Sequence, residues 1–288
     1  MPAFAGDPFR TSSPRTSISE STEAAFYAVF RDGDYVTAQS LLDDADATAT
    51  DPLHHAMLAS LAYLEGEAGL PELLNRALLT QDAAAGLMRR DPLRGHLYGA
   101  VGIFLEGAHV LQTQGIARGT PQVLGMLQDV FDEMDAAERI DPNDPELSLI
   151  KGFMDLLLAV NLPFANPEQA IARLAAHGRP VYVAQRGIAV GYRDLGEYEQ
   201  ALEAVNAALV AVDNAKAGEN TNPDLLQLKA QILAGMGERE NSAAVYTEAL
   251  TYTDQLPAAT VARLIFDRCV VQGNPGRPAP AKLGITES

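Results

Sequence analysis

Three stretches of the chain repeat one arrangement of small, polar and apolar positions. Gly33-Asp34-Tyr35-Val36-Thr37-Ala38, Gly196-Glu197-Tyr198-Glu199-Gln200-Ala201 and Gly237-Glu238-Arg239-Glu240-Asn241-Ser242 each place a glycine, then an acid, then a small residue further on. Glycine ends one helix in the left-handed conformation, the acid favours the N-terminus of the next, and the small residue lets two helices approach closely. Between these copies, helix starts are legible at Asp51-Pro52, Asp91-Pro92, Thr120-Pro121, Asp144-Pro145 and Asn166-Pro167, each a capping residue followed by proline. The pattern predicts about twelve helices in six pairs, and Pro257 to Gln272 adds a thirteenth. The most apolar runs, Leu97 to Leu111 and Phe153 to Ala165, are broken by Glu106 and by Asp155 and Pro163. Both fall short of the 18 or so residues a membrane span needs and predict helices buried in protein.

The repeated stretches resemble the tetratricopeptide repeat (TPR), a helix-turn-helix unit of about 34 residues. One copy beginning at Tyr182 sets Ala189, Tyr192, Gly196, Tyr198, Ala201 and Ala208 in its register, with Gln185 where an aromatic is usual. A second, from Pro223, sets Ala230, Leu233, Gly237, Ser242, Tyr246 and Ala249; a third, from near Ser19, sets Phe26, Val29, Gly33, Tyr35, Ala38 and Ala45. Gly196 and Gly237 are 41 residues apart, so the polar stretch Lys216 to Asn222 reads as an inserted loop, and Ala136 to Pro145 resembles the exit of a repeat. The resemblance covers roughly residues 19 to 256 and implies an all-α, right-handed solenoid of about six TPR-like pairs closed by a C-terminal capping helix. The expected organisation is a disordered leader over 1–18, a solenoid over 19–272 and a disordered tail over 273–288. Together with the opening residues and the segment from Arg94 to Pro142, the chain also resembles an uncharacterised family of exported TPR proteins of cyanobacteria.

Composition narrows the function classes. With 47 Ala and 36 Leu and no Trp, the chain is built from helix formers. Twenty-one Lys and Arg against 38 Asp and Glu give a formal charge of −17, which repels phosphates and anionic lipid and speaks against nucleic-acid binding. Cys269 is the one cysteine, so no internal disulfide and no cysteine zinc cluster is expected. Ala3-Phe4-Ala5 has the small-x-small form preceding an export cleavage site, which favours an exported chain over a cytoplasmic one; the resemblance to the exported cyanobacterial family implies periplasm or thylakoid lumen. Residues Gly6 to Ser19, with two prolines and four serines, read as a mobile leader outside the fold, and so do the last sixteen, Gly273 to Ser288.

Few residues suggest catalysis. There is no phosphate-binding loop, no nucleophile elbow and no His-Glu-x-x-His; Gly95, Gly99, Gly102 and Gly107 fall within an apolar helix and suit close packing. Glu106-x-x-His109 is a weak metal candidate and the centre of a remote metal-dependent enzyme reading, since di-iron bundles need a second such motif and two more glutamates. Asp51-x-x-His54 is its only echo, and His54-His55, His96 and His177 read as structural. Arginine is more informative. Arg179, Arg186 and Arg193 recur every seven residues and form a row along one helix face. The resemblance selects a concave groove of Arg179, Val183, Arg186, Val190, Arg193, Gln227 and Gln231, joined by Tyr27, Phe30 and Arg31. Val190 stands where chaperone-binding repeats carry asparagine, so chaperone tails are not the expected ligand.

The expected function is a non-catalytic scaffold or assembly factor that holds a protein or peptide in this groove, with no cofactor and no transmembrane segment, peripheral to a membrane complex if attached to one. The alternative is a carrier of a lipid, pigment or other hydrophobic small molecule along the Gly-rich central helices, near Leu93 to Gln114 and Leu147 to Ala159, with Leu162-Pro163-Phe164 following in a loop.

Overall fold

A computed structural model describes residues 6–11, 18–46, 49–161, 166–216 and 222–273. Among them the chain is all-helical, with thirteen α-helices and no strand. In chain order these are α1 (Glu20–Tyr27), α2 (Tyr35–Ala45), α3 (Pro52–Leu64), α4 (Leu70–Leu87), α5 (Pro92–Gln114), α6 (Ile116–Ile140), α7 (Pro145–Asn161), α8 (Pro167–His177), α9 (Val181–Asp194), α10 (Tyr198–Lys216), α11 (Pro223–Gly235), α12 (Arg239–Ala249) and α13 (Ala258–Val271). A π-turn, Ala28–Asp32, extends α1. Contacts divide the chain into two compact units, Met1–Phe26 with Ala38–Leu147, and Tyr27–Thr37 with Ser148–Ser288.

Helices pack chiefly on their chain neighbours. In the first unit α3 packs on α4, α4 on α5 and α5 on α6; in the second α8 packs on α9, and the succession continues through α10, α11 and α12 to α13. The starts follow the predicted chemistry at four of five positions. Asp51, Asp91, Asp144 and Asn166 accept backbone N–H bonds from Leu53, Arg94, Glu146 with Leu147, and Gln169. Thr120-Pro121 is the exception: α6 already begins at Ile116 and runs through Pro121. Proline there cannot donate to a carbonyl in the preceding turn, and the Thr120 hydroxyl bonds the Ile116 carbonyl at 2.6 Å.

The small positions of the repeated stretches form the closest contacts. Ala38, Ala189, Ala201, Ala208, Ala230, Ser242 and Ala249 expose no surface, and the Ser242 hydroxyl bonds the Ala230 carbonyl at 2.8 Å. Gly33 lies at φ 67°, and a Cβ there would stand 2.6 Å from Pro223 Cδ, so both backbone and space demand glycine. In the first unit, a Cβ on Gly95 or Gly102 would strike α4 at Met88 or Gln81, whereas Gly99 and Gly107 leave ordinary room.

The leader departs from expectation. Asp7, Phe9, Arg10 and Ile18 are buried, so residues 6–11 and Ile18 belong to the first unit. Phe9 packs edge-on against Phe26 at 5.0 Å, and Gly6 N–H bonds Glu23 at 2.6 Å. Proline and serine content signalled disorder, but one apolar ring and one paired guanidinium fix the segment. Ala3-Phe4-Ala5, the stretch after Lys216, Leu162-Pro163-Phe164 and the tail beyond Gly273 lie outside the described residues.

Candidate functional site

The predicted groove residues fall in the second unit, at the end of α1 and on the π-turn, just before and along α9, and on α11. Helix α9 carries Arg186 and Arg193 on one face, and α11 carries Asp224 and Gln231 with the same spacing of seven. Arg186 Nε donates to Asp224 Oδ2 at 2.6 Å, and Arg193 Nη1 donates to Gln231 Oε1. Two rungs of equal sequence offset set the register of these helices. Asp224 also lies beside the Tyr35 hydroxyl; burial first, and then the Asp224 charge, push that phenol above its ordinary range. Asn222 caps α11 through Asp224 and Leu225 and donates to the carbonyls of Phe30 and Arg31, both at 3.2 Å, so the π-turn is tied to the start of α11. Arg31 forks onto Asp32 and lies 5.0 Å over the Tyr27 ring.

Three of the proposed groove residues need correction or qualification. Val183 is 3% exposed, so it lies in the core with Tyr182 and Ala184 and offers no surface to a ligand. Arg179 precedes α9, whose cap is Pro180, so it is exposed but outside the helical row, and its Nη1 bonds the Gly178 carbonyl. Arg193 is engaged by Asp194 as well as Gln231. Arg186, half-buried, is different: its one hydrogen bond uses Nε, which leaves both terminal nitrogens without a protein partner among the described residues. Val190, Gln227, Gln231, Tyr27, Phe30 and Arg31 are all partly exposed.

Glu106 and His109, on adjacent turns of α5, are not joined by a third ligand group among the described residues. Glu106 accepts from Gln81 at 3.0 Å, and His109 Nδ1 lies 3.0 Å from the Leu70 carbonyl, so each is spent on α4 or its start. The histidines that do cluster are His54 and His55, with Asp46 from the end of α2. No spacing rule in the sequence connects Asp46 to them; the turn between α2 and α3 does.

The most buried polar constellation was not foreseen. Four acids and two arginines meet in the first unit where α3, α5 and α7 begin. Arg94, fully buried, donates to Glu146 from Nε at 3.0 Å and to Asp51, and Tyr98 Oη donates to Glu146 at 2.6 Å. Arg10 reaches the same carboxylate at 2.8 Å, forks onto Asp144 at 2.7 and 2.9 Å, and touches Asp7. Burial pushes Glu146 up, but the charges of Arg94 and Arg10 and the Tyr98 hydroxyl outweigh it and hold the carboxyl at about 2. The i, i+4 spacing of Arg94 and Tyr98 was a visible signal, but only the fold brings Arg10 and Glu146 to it.

The fold and these sites define an all-α protein of neighbour-packed helices. No protein-family model matches the chain, and no curated protein matches it either.

Proposed function

We propose that the chain is a TPR-like, right-handed helical solenoid that works as a non-catalytic scaffold, holding an acidic protein or peptide segment on the face formed by α9 and α11. The observation that carries this reading is Arg186. Asp224 holds it by Nε, so the side chain is oriented before any ligand arrives, and the unpartnered edge of its guanidinium has the fork geometry that matches a carboxylate. Val190, one turn on from Arg186 along α9, and Gln227, one turn on from Asp224 along α11, are both partly exposed and offer an apolar surface and an amide. Of the glycines that suggested a lipid or pigment carrier, Gly95 and Gly102 serve close packing of α5 against α4 and its end.

The test is a photo-crosslinking residue placed at Gln227 of the tagged full-length protein in its native cells, with and without Arg186→Gln. A discrete crosslinked partner, lost in the variant while thermal unfolding stays unchanged, is the expected result. A crosslinking pattern indifferent to Arg186, or none at all, would overturn the assignment. Fractionation of the same cells tests the exported location.

A further inference from the structure

We propose that Asp46, His54 and His55 form a binding site for a divalent transition-metal ion of the zinc class, clamping the end of α2 to the first turn of α3. One ligand atom from each residue lies within 4.8 Å of the others. His54 Nε2 and Asp46 Oδ1 stand 3.3 Å apart, long for a hydrogen bond. That is about the 3.3 Å edge of a tetrahedron whose ligands sit roughly 2.0–2.1 Å from zinc. The opposite nitrogen of His54 faces the Thr22 hydroxyl at 3.4 Å, the side on which an outer-shell group orients a metal-binding imidazole.

His55 supplies the independent observation. The residue is 7% exposed, and its Nδ1 has no hydrogen-bond partner, although buried polar atoms nearly always find one. The two rings meet edge to face with centroids 5.2 Å apart. Two nitrogens and one carboxylate oxygen suit zinc, nickel or copper rather than magnesium or calcium.

Arg76 is the competitor for this site. It holds both oxygens of Asp46, and its Nε is simultaneously taken by Glu72. An ion at Asp46 Oδ1 displaces one of those bonds, while Glu72 keeps the guanidinium in place. Removing the arginine therefore strengthens the site.

The experiment is titration of the metal-stripped full-length chain with zinc chloride near neutral pH, read by calorimetry and by the imidazole ¹⁵N resonances. One equivalent should bind, and the resonances of His54 and His55 should move together. His55→Gln should lose that equivalent and His96→Gln should keep it, whereas Arg76→Gln should bind about tenfold tighter, the scale on which outer-shell groups tune metal sites. Absence of a bound equivalent, unmoved His54 and His55 resonances, or affinity that survives His55→Gln would overturn the proposal. If His55→Gln does not fold, the wild-type resonances and Arg76→Gln decide it: still resonances or unchanged affinity count against the site.

Discussion

Glu146 exposes no surface and still carries its charge, and the reason lies in its neighbours. Desolvation of a lone carboxylate would leave it protonated; here two guanidinium groups and a phenol hydroxyl converge on it. Glu146→Gln would keep the shape and remove the charge, leaving Arg94 and Arg10 with less compensation. We expect a loss of about 3–5 kcal/mol in urea unfolding at neutral pH. The pH dependence has a definite sign. Because the folded pKa of about 2 lies below the ordinary 4.5, the stabilisation from Glu146 is complete above about pH 4.5 and is lost as pH falls toward 2. His54 and His55, with pKa values lowered by burial, also lose their contribution on acidification, but begin as pH falls below the ordinary 6.5. The Glu146→Gln protein should therefore show a smaller lower step, in which Asp46, its carboxyl lowered by the bond from Arg76, still takes part, and retain the higher one. An acid-unfolding curve in which the variant loses as much stability as the parent below pH 4.5 would refute the assignment.

At the scale of elements, capping and small-residue positions were legible because they act locally. A capping residue before proline needs only the next turn of backbone to declare a helix start, and four of the five predicted starts made one. Thr120-Pro121 failed because its threonine serves the carbonyl behind it instead of the amides ahead. The buried alanines were legible for a related reason, since a register of small residues implies helices in contact. Ala201 and Ala208, one above the other on α10, are both fully buried, and α10 packs on α9 and α11. Ala201→Leu or Ala208→Leu should each cost about 1–3 kcal/mol by overpacking. Chemical denaturation measures this, and an unchanged midpoint would contradict the packing register. What the sequence hid was partnership between elements. The arginine row on α9 was visible as a row, but its pairing with Asp224 and Gln231 depends on α11 lying alongside at a fixed offset. Thus Arg193 changes from a candidate contact into a register bond, and Arg186 is left as the residue with donors to spare.

For the molecule as a whole, the leader matters most. A stretch of prolines and serines reads as mobile because it cannot bury enough apolar surface by itself, and that logic ignores what the rest of the fold needs. The first unit places Asp144 and Glu146 out of water at the start of α7, and Arg94 alone does not neutralise them. Arg10 supplies the second guanidinium from 134 residues away in the chain, with Asp7 turning the backbone around it through bonds from Phe9 and Arg10 N–H. Breaking a buried ion pair by removing one partner costs about 3–5 kcal/mol, because the remaining charge stays desolvated. A chain beginning at Ser19 should therefore unfold at a lower urea concentration than the full-length protein. Arg10→Gln, which keeps Phe9 against Phe26, should reproduce most of that loss. Hydrogen exchange can localise the effect: protection should fall at the starts of α3, α5 and α7, where the ion cluster lies, and stay unchanged in α11 to α13. If the truncated protein kept its denaturation midpoint, the leader would be the passive tail its composition suggests. If exchange rose equally in both units, the cluster would be stabilising more than the unit that contains it.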